Sequence, residues 1–180
     1  MNVVLVSPLY PPDTEAPAPY IKELASRIRD EHKVTILTYG EHPEEISGVR
    51  IVAISKKCSL PRRLMTFTRA LVRLGKDADV VFLENGPSVE LPALIARMFG
   101  TKHFILHTGD PRAALRSSEN KALHFLRTLV AGGATYTLSY SPLPRPEIFP
   151  LESYPEEALR TYEESWRSHL GDLKKHMKPV

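Results

Sequence analysis

The sequence predicts an α/β protein, a three-layer sandwich around a mostly parallel six-stranded sheet. Short β-branched and aliphatic runs alternate with amphipathic helical repeats through the first 140 residues, which is typical of βαβ units. The chain has 180 residues, of which 42% are hydrophobic and 25% charged, an ordinary composition for one globular domain. A disordered chain is therefore excluded.

Six apolar runs predict strands. The first contains Val3-Val4-Leu5-Val6, and an unbroken aliphatic run of this kind fits a strand that is buried on both faces. The predicted strands cover residues 2–7, 33–39, 49–54, 79–84, 103–107 and 135–140. With right-handed crossovers the natural strand order is 3-2-1-4-5-6, which is a Rossmann-like sheet.

Five segments with the apolar spacing of an amphipathic helix follow or separate these strands. They cover residues 20–29, 60–74, 88–99, 117–131 and 156–177. Residues 1–141 are predicted to form the Rossmann-like domain, and residues 142–180 a proline-rich connector with a C-terminal amphipathic helix. That helix holds Trp166, the only tryptophan, within an apolar face, so we expect it to fold back onto the sheet domain. Its predicted apolar face consists of Leu159, Tyr162, Trp166, Leu170, Leu173 and Met177.

The composition also bears on compartment and metal content. No apolar run approaches the ~20 residues of a membrane span, and the N-terminus lacks the basic start of a signal peptide, so we expect a cytoplasmic protein. Cys58 is the only cysteine, which excludes an intramolecular disulfide and disfavours a cysteine-based zinc site. We expect neither a metal nor a cofactor.

Ligands of open parallel sheets bind at the carboxyl ends of the strands, where the strand order reverses. His107 at the end of the fifth strand is a titratable ring near Asp110, and it can serve as an acid/base or as a hydrogen-bond donor to a sugar or phosphate. The alternative is a structural histidine that satisfies loop carbonyls. For Glu84 the favoured alternative is a carboxylate that caps the next helix. The candidate catalytic residues at this edge are His107 and Asp110, and the candidate substrate-binding residues are Glu84, Asn85, Thr108 and Gly109.

The loop after the first strand, residues 8–19, is long and rich in proline. It leads into a helix N-terminus, where unpaired N–H groups attract anions such as phosphate. Neither Gly-x-Gly-x-x-Gly nor a phosphate-loop lysine motif is present. The candidate substrate-binding residues here are Tyr10, Asp13, Thr14, Glu15 and Ala16, and the alternative is a surface loop without a ligand.

Residues 56–76 contain seven basic residues and no acidic one, in a chain whose net charge is only +3. Basic amphipathic helices are typical of proteins that bind anionic membranes or phosphates. The alternative is a solvated helix face. Nucleic acid is disfavoured, because aromatic residues are not interleaved with the basic ones. The predicted membrane or anion face consists of Arg62, Arg63, Arg69, Arg73 and Lys76.

Taken in order, these segments resemble the N-terminal domain of glycosyltransferase family 4, whose GT-B fold has two facing Rossmann-like domains. The resemblance covers about residues 1–140. It is carried by VVLVSPLYPP at 3–12, APA at 16–18, ELA at 23–25, KVTILT at 33–38, GVRI at 48–51, DVVF at 79–82, LPALIAR at 91–97 and the strand that ends in His107. The motif of two prolines followed by Ala-Pro-Ala, at residues 11–18, resembles the one found in family members that build bacterial surface polysaccharides.

The resemblance implies a nucleotide-sugar donor, a retaining transfer and an acceptor held mainly by this domain. It also implies that residues 13–16 lie near the donor phosphate and that His107 approaches the transferred sugar. Two features depart from the family. Glu15 stands where the family usually has glycine, and a carboxylate there would repel a donor diphosphate. The donor-binding domain is missing, although the last helix resembles the closing helix of GT-B enzymes, which packs back on the N-terminal domain.

Three functional hypotheses follow. The first is the acceptor-side half of a split glycosyltransferase that acts on a glycan or lipid-linked acceptor. A second chain would supply the donor site, so we expect little activity from this chain alone. The second is a non-catalytic module that binds a glycolipid or sugar phosphate, peripheral at the membrane. The third is an interaction protein that forms homodimers through an exposed apolar surface.

Overall fold

The computed structural model describes residues 1–15, 17–100, 103–108, 120–139 and 155–177. Five helices and six strands lie within these ranges. In chain order they are β1 (Asn2–Val6), α1 (Ala18–Ile28), β2 (Lys33–Tyr39), β3 (Arg50–Ile54), α2 (Leu60–Lys76), β4 (Val80–Glu84), α3 (Pro87–Met98), β5 (Phe104–His107), α4 (Lys121–Gly133), β6 (Tyr136–Leu138) and α5 (Glu156–His176).

The six strands form one parallel sheet in the order β3-β2-β1-β4-β5-β6. The predicted fold class and strand order are therefore confirmed. Leu5 in β1 is paired with Ile36 on one side and with Phe82 on the other, which places β1 and β4 together at the sheet centre. The strand order reverses between β1 and β4, and a crevice for ligands is expected at their carboxyl ends.

Alternating side chains of the central strands supply two hydrophobic cores, one on each face of the sheet. Val3 and Leu5 point to the face covered by α1 and α5, whereas Val4 and Val6 point to the face covered by α2, α3 and α4. A continuous aliphatic run is required because both faces of β1 are buried. This burial explains why the β1 sequence shows no polar alternation.

The starts of two helices differ from the sequence prediction by more than one residue. Helix α1 begins at Ala18, two residues earlier than predicted, with Pro17 as its N-cap. Proline is tolerated there because the first turn has no intrahelical partner for its N–H groups. Helix α4 begins after Asn120, whose side chain accepts hydrogen bonds from the N–H groups of Ala122 and Leu123. The predicted start of this helix, residues 117–119, lies outside the described residues.

Helix α5 packs on the α1 side of the sheet, as predicted from its apolar face. Tyr162, Trp166 and Leu173 are buried there, and each large side chain taken from water contributes about 1.5–3 kcal/mol. The C-terminal end of α5 is also held, because the His176 ring stacks on Tyr136 and its carbonyl contacts the His103 ring. The predicted connector lies outside the described residues except for Pro155. No described helix is long and apolar enough to cross a membrane.

Candidate functional site

The carboxyl ends of β1, β4 and β5 meet at one edge of the sheet, and this edge is the candidate site. Hydrogen bonds continue the strand pairing past the last strand residues. The N–H of Ser7 donates to Leu37 O at 3.0 Å, that of Asn85 to His107 O at 2.9 Å, and that of Thr108 to Leu138 O at 2.8 Å. The predicted residues Glu84, Asn85, His107 and Thr108 are therefore brought together.

Glu84 and His107 form a buried pair across neighbouring strands. They are opposite each other in the β4–β5 register, and the His107 Nδ1 contacts the Glu84 Oε1. Both side chains are inaccessible to solvent, at 0% and 1% exposure. A carboxylate buried to this extent needs such a partner, because an unpaired buried charge is strongly destabilising.

The prediction that Glu84 caps the following helix is wrong. Its side chain points across the sheet to β5 and not along the chain to α3, because paired residues on adjacent strands share one face. The carboxylate at the start of α3 is Glu90, whose Oε1 accepts the Gly86 N–H at 3.3 Å. Burial raises the pKa of Glu90. Glu90 lies four residues after the N-cap Gly86, one more than in a capping box, so the sequence carried no capping signal here.

Aromatic rings cover His107 from the helical side. The Tyr20 ring of α1 stacks on His107 with a centroid distance of 4.6 Å and an interplanar angle of 19°. Tyr20 also stacks on Trp166 of α5, at 5.5 Å and 14°. We call Tyr20, His107 and Trp166 the aromatic stack. It links the end of β5 to both helices of this layer.

A second histidine lies against the aromatic stack and was not predicted as a site residue. His169 of α5 places its Nε2 2.7 Å from the Tyr20 hydroxyl, and its ring lies 6.0 Å from the His107 ring. Burial, with a further contribution from the nearby His107, lowers the pKa of His169 to about 4. The signal in the sequence was its place in the apolar face, three residues after Trp166 and four before Leu173.

This burial bears on the role of His107. Its ring is 1% exposed, and Tyr20 and Phe82 both lie against it. A general acid or base must come within hydrogen-bond reach of the reacting group. In this structure His107 is positioned by Glu84 and Tyr20, and its contact with a transferred sugar stays a prediction. Gly109 and the second catalytic candidate, Asp110, lie outside the described residues.

Tyr10, a predicted substrate-binding residue, lies in the core and not at the rim of the site. Tyr10 is buried with 2% exposure, and its hydroxyl donates to the Glu44 carbonyl at 3.0 Å. Burial, followed by the Glu44 charge, raises the pKa of Tyr10 to about 12. The ring packs in the core between the sheet and α1, so it anchors the loop after β1. The sequence could not distinguish these roles because an aromatic ring serves either one.

The rest of that loop presents polar groups at the rim of the site. Asp13 forms an ion pair with Lys56 at 2.9 Å. Thr14 and Glu15 are exposed, and the Glu15 carbonyl accepts the Ala18 N–H at 2.9 Å, which leads into α1. Ala16 lies outside the described residues. The rim therefore carries two carboxylates, and that of Asp13 is paired with Lys56.

The β1 and β4 loops touch each other. A Cβ atom built on Gly86 would lie 3.2 Å from Pro8 Cγ, which is tighter than most real contacts. The Ser7 hydroxyl donates to the Leu9 carbonyl at 2.6 Å and holds the turn out of β1. The two loops therefore form one continuous wall of the site. Among the described residues no cluster of three His, Cys, Asp or Glu side chains could hold a metal ion.

Four of the five residues of the predicted membrane or anion face are exposed on α2. Arg62, Arg69, Arg73 and Lys76 are exposed. Arg63 is half-buried, and its guanidinium lies over the Tyr39 ring at 5.5 Å. Its inclusion in the exposed face is therefore wrong, because one residue along a helix turns the side chain by about 100° toward the sheet.

Comparisons with known proteins do not assign the chain to a family. No protein-family model matches it, and no curated protein sequence matches it. Among solved structures, a short-chain dehydrogenase/reductase from Burkholderia vietnamiensis is similar, with 13% sequence identity, 88% of each chain covered and a TM-score of 0.43.

Proposed function

We propose that this chain is the acceptor-side half of a GT-B glycosyltransferase of family 4 type. In this proposal it holds a glycan or lipid-linked acceptor at the carboxyl edge of the sheet, and a second polypeptide binds the nucleotide sugar. The proposal rests on the resemblance of residues 1–140 to that family. Its main support in the structure is the position of α5.

The packing of α5 on the sheet domain supports the comparison with a closing helix. It packs against α1 and the sheet through Trp166, which stacks on Tyr20. Arg27 of α1 adds a bidentate pair with Glu163, with nitrogen–oxygen distances of 2.6 and 2.8 Å. Only residues 139–155 separate β6 from α5, too few for a donor-binding domain. This segment therefore contains no such domain, and the proposal assigns the donor half to a second polypeptide.

The polar groups at the rim favour an acceptor over a donor. The Glu15 side chain is exposed near the N-terminus of α1, where a donor diphosphate would otherwise be attracted. A carboxylate repels a diphosphate but accepts hydrogen bonds from the hydroxyl groups of a sugar. Thr14 adds a hydroxyl that can donate and accept. These groups can orient an acceptor hydroxyl for transfer.

The burial of His107 supports low activity of the chain alone. His107 is 1% exposed and stacks on Tyr20, so its ring is not presented to solvent. The same observation favours the second candidate function, a non-catalytic module that holds a glycolipid or a sugar phosphate. The two candidates differ in one property. Only the split transferase yields transfer when a donor-binding chain is added.

The first test is a ligand titration in which backbone amide signals are monitored by NMR. Soluble oligosaccharides and short-chain prenyl diphosphate sugars are added, and the amides of Ser7, Asn85 and Thr108 are monitored. We expect these amides to shift with at least one acceptor. Thr14→Ala should weaken binding several-fold, whereas Thr161→Ala, at an exposed position of α5, should leave binding unchanged. Absence of shifts with every acceptor would overturn the acceptor role.

The second test is thermal unfolding with UDP- and GDP-sugars. A ligand at one hundred times its dissociation constant stabilises a protein by about 2.7 kcal/mol, which is a shift of about 5–10 °C for a domain of this size. We expect no such shift from this chain alone. A clear shift would mean that the donor site is on this chain, and the division of labour would be refuted.

A further inference from the structure

One face of the molecule combines basic and exposed apolar side chains. On α2, Arg62, Arg69, Arg73 and Lys76 are spaced by seven, four and three residues, so they share one side of the helix. We call these four residues the basic stripe. All are exposed, and none forms an ion pair with another described residue.

Apolar side chains lie beside the basic stripe. Met65, three residues after Arg62 and four before Arg69, is 53% exposed. Helices α3 and α4 belong to the same layer, and each exposes large apolar groups. These are Leu91 (41%), Met98 (79%), Phe125 (64%) and Leu129 (42%). Transfer of such side chains from water into an apolar environment is favourable.

The opposite face of the molecule differs in charge. Helix α2 carries five basic residues and no acidic one. Helix α5, on the other side of the sheet, carries five acidic residues, among them Glu156 and Glu163, and four basic ones. A net difference of this size orients the molecule in the field of an anionic surface. The α2 side would face that surface, and α5 would face away.

We propose that the face formed by the basic stripe, Met65 and the exposed apolar residues of α3 and α4 binds an anionic lipid bilayer. Basic residues that flank exposed apolar groups are the pattern of helices that lie in the membrane interface. Nucleic acid binding would instead call for aromatic rings among the basic residues, and none is exposed on α2. Bilayer binding requires no part of the sugar chemistry. If the proposed function also holds, this surface favours the lipid-linked class of acceptor, an extension that rests on that function.

The test is sedimentation with vesicles of phosphatidylglycerol and phosphatidylcholine in equal parts, compared with phosphatidylcholine alone. We expect binding to the anionic vesicles only, weakened by salt. A basic residue near an anionic leaflet contributes roughly fivefold in affinity. The triple variant Arg62→Ser, Arg69→Ser and Arg73→Ser should therefore bind roughly 100-fold more weakly.

The matched control removes the same number of positive charges from α5, by Arg160→Ser, Arg167→Ser and Lys175→Ser. These side chains are exposed on the opposite face, so this variant should bind as the unmodified protein does. Thermal unfolding verifies that both triple variants are folded. A further variant, Met65→Ser, keeps every charge and should lower vesicle affinity by severalfold with unchanged salt dependence.

Three results would overturn the proposal. The first is failure of the unmodified protein to sediment with anionic vesicles at low salt. The second is equal loss of binding in the α2 and α5 triple variants, which would indicate a non-specific charge effect. The third is binding of RNA, lost in the α2 variant, without vesicle binding. None of these assays contains a nucleotide sugar or an acceptor, so a negative result leaves the transferase proposal standing and can be told apart from its failure.

Discussion

Replacement of His169 by glutamine should make the protein less sensitive to mild acid. The side chain, on α5, is fully buried, and its Nε2 lies 2.7 Å from the Tyr20 hydroxyl. The centroids of the His169 and His107 rings are 6.0 Å apart, and the charge of Asp172 acts on His169 to raise its pKa slightly against the larger effect of burial. Burial lowers its pKa from 6.5 to about 4. Glutamine can place an amide where Nε2 lies, and it keeps the helix intact.

The magnitude follows from linkage between protonation and folding. Above pH 6.5 His169 is neutral in both the folded and the unfolded chain and contributes no pH dependence. Between pH 6.5 and 4 the unfolded chain takes up the proton while the folded chain does not, so stability falls as the pH falls. For His169 this loss is about 2 kcal/mol at pH 5 and about 3 kcal/mol at pH 4.

The assay is urea unfolding of the unmodified protein and of His169→Gln at pH 7 and pH 5. The variant will be less stable at pH 7, since it loses packing. However, the gap between the two proteins should narrow by about 2 kcal/mol at pH 5. His124→Gln, at an exposed position of α4, is the matched control and should follow the unmodified protein at both pH values. A constant gap between pH 7 and pH 5 would refute the view that His169 is held neutral between α5 and α1.

Four further substitutions test the packing and the site. Trp166→Ala should lower the free energy of unfolding by about 3–5 kcal/mol in urea denaturation, because the indole is 3% exposed and stacks on Tyr20; a loss below 1 kcal/mol would contradict the docking of α5. Glu163→Ala should cost less than about 1 kcal/mol in the same assay, since its ion pair with Arg27 is 54% exposed on the glutamate side. Glu84→Ala should cost about 3–5 kcal/mol, because it removes the buried partner of His107; a near-neutral effect would show that the pair is dispensable. Glu15→Gly should improve nucleotide-sugar binding in thermal-shift titrations. Unchanged affinity would show that repulsion by the Glu15 carboxylate does not weaken donor binding.

The sequence by itself determined the elements and their order in the sheet. The aliphatic run Val3–Val6 requires a strand with two buried faces, and the alternation of such runs with helical repeats leads to one strand order. The return of α5 to the domain was predictable for a similar reason. An amphipathic helix that holds the only tryptophan needs a surface to cover its apolar face. The aliphatic run of a strand and the apolar face of a helix can each be recognised within one segment of the chain.

Only the tertiary structure decided which residues of the site are available. Glu84 meets His107 because the β4–β5 register sets them opposite each other, although 23 positions separate them in the chain. Tyr20 and His169 meet across 149 positions. Tyr10 was equally suited to a ligand or to the core until α1 and the sheet enclosed it. Periodicity reports which face of an element is apolar. It does not report which distant element covers that face, and this contact is what buried the histidine that the sequence had placed at an open edge.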